Sequence, residues 1–255
     1  TTDLVDTRGH AFEQVLGDIQ TLNQWARCGR LEVTALSLAA YPFVQEDYAL
    51  LPHGASIGSG YGPIVVAREP LSTAALRERE LVVPGAMTTA LLVLRLVLGD
   101  FPYRELPFDE IPDEVASGRA DAGLLIHEGQ LTFEDYGLSK VLDLGEWWLL
   151  ETGLPLPLGV NVIRRDLGDE AVREVSEVLR DAIQCGLDNR AEALEYALQF
   201  GRGIDAAVAD RFVAMYVNEL TRDYGDEGRK AVTELLRRGE ALGAFPEPVR
   251  IDFVT

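Results

Sequence analysis

Apolar residues fall at three- and four-residue steps in Ile19, Leu22 and Trp25–Ala26, which predicts a helix over Asp18–Arg27 with Gly29 as its stop. The period then shortens. Leu31–Leu38 is a β-branched run read as a strand that ends at Ser37, before a short helical Ala-Ala-Tyr-Pro-Phe stretch. Tyr48–Leu51 and Gly62–Ala67 read as strands, and the four-glycine segment Gly54–Gly62 reads as the loop between them. Leu81–Val83 is a strand, Pro84-Gly85 a turn and Thr88–Leu98 a strongly apolar helix. A short helix over Asp109–Ser117 closes at Gly118, and the buried strand Ala122–Ile126 runs straight into His127 and Glu128. Lys140–Leu144 and Leu158–Arg164 are the last strands predicted. Beyond Asp169 the texture is helical, with amphipathic segments over Asp169–Leu187, Arg190–Phe200, Ile204–Arg222 and Asp226–Leu242.

Strands alternating with helices predict an α/β protein with mixed, mostly parallel sheets and a helical C-terminal region. Gly62-Pro-Ile-Val-Val-Ala-Arg68 and Pro157-Leu-Gly-Val-Asn-Val-Ile-Arg-Arg165 share one texture and bracket a compact strand–helix–strand segment. A chain needs two such strands to leave one lobe and return to it. The expected organisation is therefore two lobes, one from residues 1–76 with 151–255 and the other from 77–150, with a ligand cleft between them. Two neighbouring strands of one continuous sheet would leave the same pattern.

Composition narrows the function classes. The 255 residues carry 42 acidic and 23 basic side chains, a formal charge of −19, so nucleic acid is excluded as a partner by phosphate repulsion. The longest apolar stretch is interrupted by Arg95 and is too short to span a membrane. Cys28 and Cys185 lie far apart, which excludes a disulfide scaffold or a cysteine zinc site. Both are expected reduced, on helices and at least half-buried, as suits a cytoplasmic protein. No charged-then-apolar leader opens the chain.

Three histidines occur. His10 and His53 are expected in solvent, the second in a turn after Pro52. His127 is different, because it stands at the carboxyl end of a buried strand, the edge at which open α/β sheets bind ligands. An imidazole there can take a proton near neutral pH, or can merely cap the strand. The turn Pro84–Ala90 leads into a helix whose first N–H groups, with the Thr88 and Thr89 hydroxyls, can hold a carboxylate; equally, a threonine there can serve only as the helix cap. Ser37 is a third strand-end hydroxyl with the same two readings. Trp147 and Trp148 either pack as a helix with an acidic first turn or line a cleft that stacks an aromatic ligand. Gly58-Ser-Gly-Tyr-Gly62 precedes a strand rather than opening a helix, so it is neither a phosphate loop nor a dinucleotide fingerprint. No His-Glu-x-x-His, Gly-x-Ser-x-Gly or metal-spaced cluster occurs, and the expected site uses no metal and no cofactor.

Seven phrases recur in a familiar order: DIQTLNQWA (18–26), LEVTALSLAAY (31–41), GPIVVAR (62–68), VPGAMTTA (83–90), ADAGLLIHEGQLTF (120–133), LDLGEWW (142–148) and TGLPLPLG (152–159). Together they resemble the 1,4-dihydroxy-6-naphthoate synthases of the futalosine route to menaquinone, over residues 15–170 and more loosely beyond. The resemblance implies a two-lobed fold like the type II periplasmic binding proteins. It also implies a lyase that splits cyclic dehypoxanthinyl futalosine into 1,4-dihydroxy-6-naphthoate and dihydroxyacetone. On that resemblance His127 matches the family's proton acceptor, and Ala35, Leu36, Ser37, Thr89 and Ala90 match its substrate-contacting segments. The expected partner is a small anionic substrate. Family members open with a strand and a Ser-Pro-Cys-Pro-Asn-Asp-Thr-Phe phrase; that phrase does not occur in this sequence, so the resemblance implies about twenty further positions ahead of Thr1. Chorismate dehydratase of the same pathway, and a non-catalytic solute-binding protein that captures a small anion, are the alternatives.

Overall fold

The computed structural model describes residues 4–199 and 206–255. Helix α1 (Ile19–Ala26) starts at Asp18, whose carboxylate accepts the Thr21 N–H at 3.0 Å. Strand β1 (Val33–Ser37) follows, then a two-turn 3₁₀-helical stretch, Leu38–Phe43, then β2 (Tyr48–Leu50) and β3 (Ser56–Gly58). The chain next lays down β4 (Ile64–Ala67), α2 (Thr73–Leu76), β5 (Leu81–Val83), α3 (Thr89–Leu98), β6 (Tyr103–Glu105), α4 (Ile111–Ala116), β7 (Ala122–Leu125), α5 (Gly129–Thr132), β8 (Ser139–Asp143) and α6 (Leu144–Thr152). It returns through β9 (Leu156–Arg164) and ends in α7 (Asp169–Asp188), α8 (Arg190–Leu198), α9 (Ala206–Tyr216), α10 (Glu219–Arg222) and α11 (Gly225–Ala241). The ends expected at Phe200 and Ile204 lie outside the described residues. The single helix expected over Ile204–Arg222 is interrupted at Asn218, which accepts the Leu220 N–H and starts α10 afresh.

Two sheets form. One runs β1-β9-β2, with β3 also on β9; the other runs β6-β5-β7-β4-β8. The α/β class with mixed sheets is as expected, but the ladders are not mostly parallel. Strand β9 is antiparallel to β1, β2 and β3, and β4 is antiparallel to β7 and β8, whereas β5 runs parallel to β6 and β7. Parallel pairing needs a helical crossover, which α3 and α4 supply in the second sheet alone. Strand β9 instead comes back from the far sheet and meets its partners head to tail, with Ser37 opposite Gly159 and Leu50 opposite Val162. Strand β4 lies in the second sheet, so the chain first crosses between Gly58 and Ile64 rather than near residue 76.

Helix α3 fills the space between the sheets. Leu91, Leu92, Val93 and Leu94 are all buried there, in one core with Leu36, Val65, Val83, Trp148, Val160, Leu235 and Leu236. Each such side chain contributes roughly 1.5–3 kcal/mol by leaving water. Trp148 is therefore a core residue, its Nε1–H donating to the Pro155 carbonyl at 3.0 Å. Ile111 and Val115 of α4 cover the outer face of the second sheet against Val66, Val82 and Leu125. Cys28 lies exposed just past α1 and Cys185 half-buried on α7, both free. Among the described residues, no helix is long and apolar enough to cross a membrane.

His53 overturns its expectation. Its turn is pinned by Gly54 N–H to the Thr221 carbonyl (2.7 Å) and by Tyr224 N–H to the Pro52 carbonyl (3.0 Å), and the ring is buried with no partner at Nε2. Burial pushes its pKa down to about 4, from 6.5 in an exposed ring. The unfolded chain thus takes up a proton between those values that the folded chain refuses. The stability from a neutral His53 is complete above pH 6.5 and disappears as pH falls toward 4, a loss of about 3 kcal/mol. In urea titrations at pH 7.5 and 4.5, wild type should lose about 2 kcal/mol more than His53→Phe. Parallel losses in the two proteins would show that the ring is not held neutral.

Candidate functional site

Between the sheets lies a cleft with a cavity of about 130 Å³, partly open to solvent. Its walls come from the starts of α1, β3 and β9, the ends of β1 and β7, the residue before β4, the starts of α3 and α5, and helix α9. None of its lining residues is Asp, Glu, Lys or Arg. In a chain of charge −19 this leaves hydrogen bonds and backbone dipoles to hold a ligand.

His127 stands where expected, at the end of β7 and on the cleft wall. It has φ +52°, and the other described non-glycine residue with positive φ is Arg8. The left-handed conformation costs roughly 1–2 kcal/mol for a residue with a Cβ. It turns the chain out of the strand so that α5 begins at Gly129. The ring is held edge-on by Phe108, 4.7 Å between centroids, and by Phe212 of α9 at 6.4 Å. Such contacts fix the ring's orientation by aromatic geometry.

The start of α3 is arranged differently from the simplest expectation. Thr88 is the N-cap: its Oγ1 accepts the Leu91 N–H (3.3 Å) and donates to the Gly85 carbonyl (2.8 Å). Thr89 Oγ1 donates to the Leu158 carbonyl (2.7 Å) and accepts the Ala39 N–H (3.1 Å), tying α3 to β9 and to the turn after β1. Both hydroxyl protons are therefore committed to the protein. What remains for a ligand is the pair of backbone N–H groups of Thr89 and Ala90, which have no acceptor among the described residues.

Ser37 lines the same cleft. Its Oγ accepts from Asn23 Nδ2 at 3.2 Å and its N–H donates to Asn23 Oδ1 at 2.8 Å, so its hydroxyl proton stays free to donate to a ligand. Ser37, Thr89, Ala90 and His127 are thus brought together, while Ala35 and Leu36 are not part of the lining. Leu36 points into the core and Ala35 is exposed to solvent. Trp147 and Trp148 are outside the cleft.

Asn23, Gln130, Phe212 and Tyr216 escaped sequence reasoning. Asn23 sits in an ordinary amphipathic helix, and the signal was only that a polar residue falls on its buried face. Phe212 and Tyr216 are four apart on α9, a spacing that reads simply as a core stripe. Among the described residues, no cluster of three or more His, Cys, Asp or Glu is placed to hold a metal ion.

The fold matches proteins of known structure. A crystal structure of an Archaeoglobus fulgidus protein superposes with a TM-score of 0.87 at 45% identity, covering 91% of this chain and 87% of that one. The alkanesulfonate-binding protein SsuA from Xanthomonas axonopodis pv. citri follows at TM-score 0.66 and 15% identity, covering 91% and 83%, which establishes a periplasmic-binding-protein-like fold. In sequence, a 1,4-dihydroxy-6-naphthoate synthase from Thermus thermophilus is 44% identical over 93% of this chain and 87% of its own length. The family model described as menaquinone biosynthesis matches residues 1–241, and on that match the chain belongs to the menaquinone-biosynthesis family.

Proposed function

We propose that the protein is a lyase that converts cyclic dehypoxanthinyl futalosine to 1,4-dihydroxy-6-naphthoate and dihydroxyacetone, with His127 as general base and no metal or organic cofactor. The observation that carries this is His127, placed in a left-handed conformation on the wall of an uncharged cleft that also holds the unpaired N–H groups at the start of α3. Those N–H groups, at the positive end of the helix dipole, take an anionic group of the substrate. Ser37 donates a third hydrogen bond. With the substrate fixed there, the imidazole takes the proton whose loss starts the fragmentation of the ring.

The two sheets are the centres of two lobes that close on the substrate, hinged where the chain crosses at 58–64 and 152–156. Closure expels water and strengthens the few polar contacts inside. The 44% identity to a named synthase supports this substrate over chorismate and over mere solute capture. Incubation of the purified protein with cyclic dehypoxanthinyl futalosine should release 1,4-dihydroxy-6-naphthoate and dihydroxyacetone in equal amounts, followed by chromatography. Unchanged substrate after prolonged incubation, or turnover of chorismate instead, would overturn the proposal.

A further inference from the structure

Gln130 is a hydrogen-bond donor in the cleft that the scheme above leaves unused. It lies three residues past His127, and its N–H donates to the His127 carbonyl at 3.3 Å, so both side chains leave one turn. The residue is 9% exposed, and it lines the cleft. Tyr216, reaching in from α9, donates its hydroxyl proton to Gln130 Oε1 at 2.7 Å. Tyr216 is itself fixed by ring contacts with Phe212 (5.0 Å between centroids) and Tyr61 (5.5 Å). Burial raises its phenol's pKa, so it remains a proton donor near neutral pH.

An amide side chain has two N–H donors besides its acceptor oxygen. Tyr216 occupies the oxygen and so settles which way the amide is turned. The Nε2 end has no acceptor among the described residues, and it is not sealed in the core either. A ligand that fills the cleft strips water from those N–H groups, and it must replace that water with an oxygen or lose affinity.

We infer that Gln130 orients the substrate: its amide N–H groups hold a hydroxyl or carbonyl oxygen of the ligand beside the atom that gives up its proton to His127, and Tyr216 aims the amide. This rests on the lyase reading of the cleft. The site thereby selects for an oxygen at that position, because an analogue carrying only hydrogen or carbon there leaves buried donors unpaired.

Three variants test it. Gln130→Glu keeps the side-chain size and an acceptor for Tyr216 but has no N–H. Gln130→Leu removes both functions, and Tyr216→Phe leaves the donors but frees the amide to rotate. The expected loss in kcat/KM is roughly ten- to a hundredfold for both Gln130 variants, mostly as a raised KM, and several-fold for Tyr216→Phe. A pair that merely braces α9 against α5 predicts a different order: Gln130→Glu near wild type, and Tyr216→Phe as harmful as Gln130→Leu. Gln130→Glu with a wild-type KM overturns the inference, even if Gln130→Leu fails to fold. Should wild type not turn over the substrate, the lyase reading is what fails. Calorimetric titration of that compound into wild type and Gln130→Glu then decides the role of Gln130, equal affinities overturning it.

Discussion

Replacing His127 with Asn is expected to cut turnover roughly a thousandfold while leaving the protein folded and KM within a few-fold of wild type. Asparagine is chosen because it tolerates the left-handed φ of +52° that most residues resist. The variant loses the ring contacts with Phe108 and Phe212, which together are worth about 1 kcal/mol, too little to unfold a chain of this size. Binding should survive, because the Thr89 and Ala90 N–H groups and the Ser37 hydroxyl do not depend on the imidazole. Single-turnover rates with saturating substrate, read beside thermal midpoints, separate chemistry from folding. A rate above a tenth of wild type would remove His127 from the role of base. His127→Ala serves as the control, with a similar rate and somewhat lower stability from its poorer fit to positive φ.

His127 was legible because its signal is local. A run of four apolar residues ending in a histidine means a strand edge wherever the strand is placed. The same holds for α3, whose apolar run and threonine start specify a buried helix with free N–H groups at one end. What the Thr88 and Thr89 hydroxyls do was not legible, since their acceptors are three residues upstream in a turn and 69 residues away on β9. Periodicity reports which face is buried, not what lies opposite it. The first sheet escaped for the same reason: its strands read correctly one by one, but only the return of β9 between β1 and β2 decides that every ladder there is antiparallel. His53 shows the limit in the other direction. A polar turn after a proline looks solvated until α7 and α10 are laid across it. Tyr216 joins the cleft from a helix 86 residues beyond its partner Gln130, a separation over which no sequence spacing carries information.

Gly145→Ala is expected to destabilise the fold by about 3 kcal/mol or more, although Gly145 needs no unusual backbone angle. The difficulty is room. A Cβ at this position would stand 2.0 Å from the Tyr61 carbonyl carbon, 2.1 Å from its oxygen and 2.5 Å from Gly62 N. Those are backbone atoms, and neither α6 nor the segment leading into β4 can give way. The Leu144 N–H donates to the Pro63 carbonyl at 2.9 Å, and β4 is paired on both edges, to β7 and to β8. On the other side, Asp143 accepts the Gly145 and Glu146 N–H groups at 2.9 and 3.2 Å, and α6 is anchored by fully buried Trp148. The contact lies where the chain passes from the first sheet into the second, so an added methyl is expected to wedge α6 away from that crossing and to disturb the cleft beside it. Gly153→Ala is the comparison: φ there is +70° but nothing lies within 4 Å, so only the conformational cost of about 1 kcal/mol should appear. Urea midpoints ordered Gly145→Ala well below Gly153→Ala below wild type are the expected result, with kcat/KM reduced in the folded fraction of Gly145→Ala alone. Equal, small losses in both variants would mean that the crossing segments have slack, and that the cleft is left undisturbed.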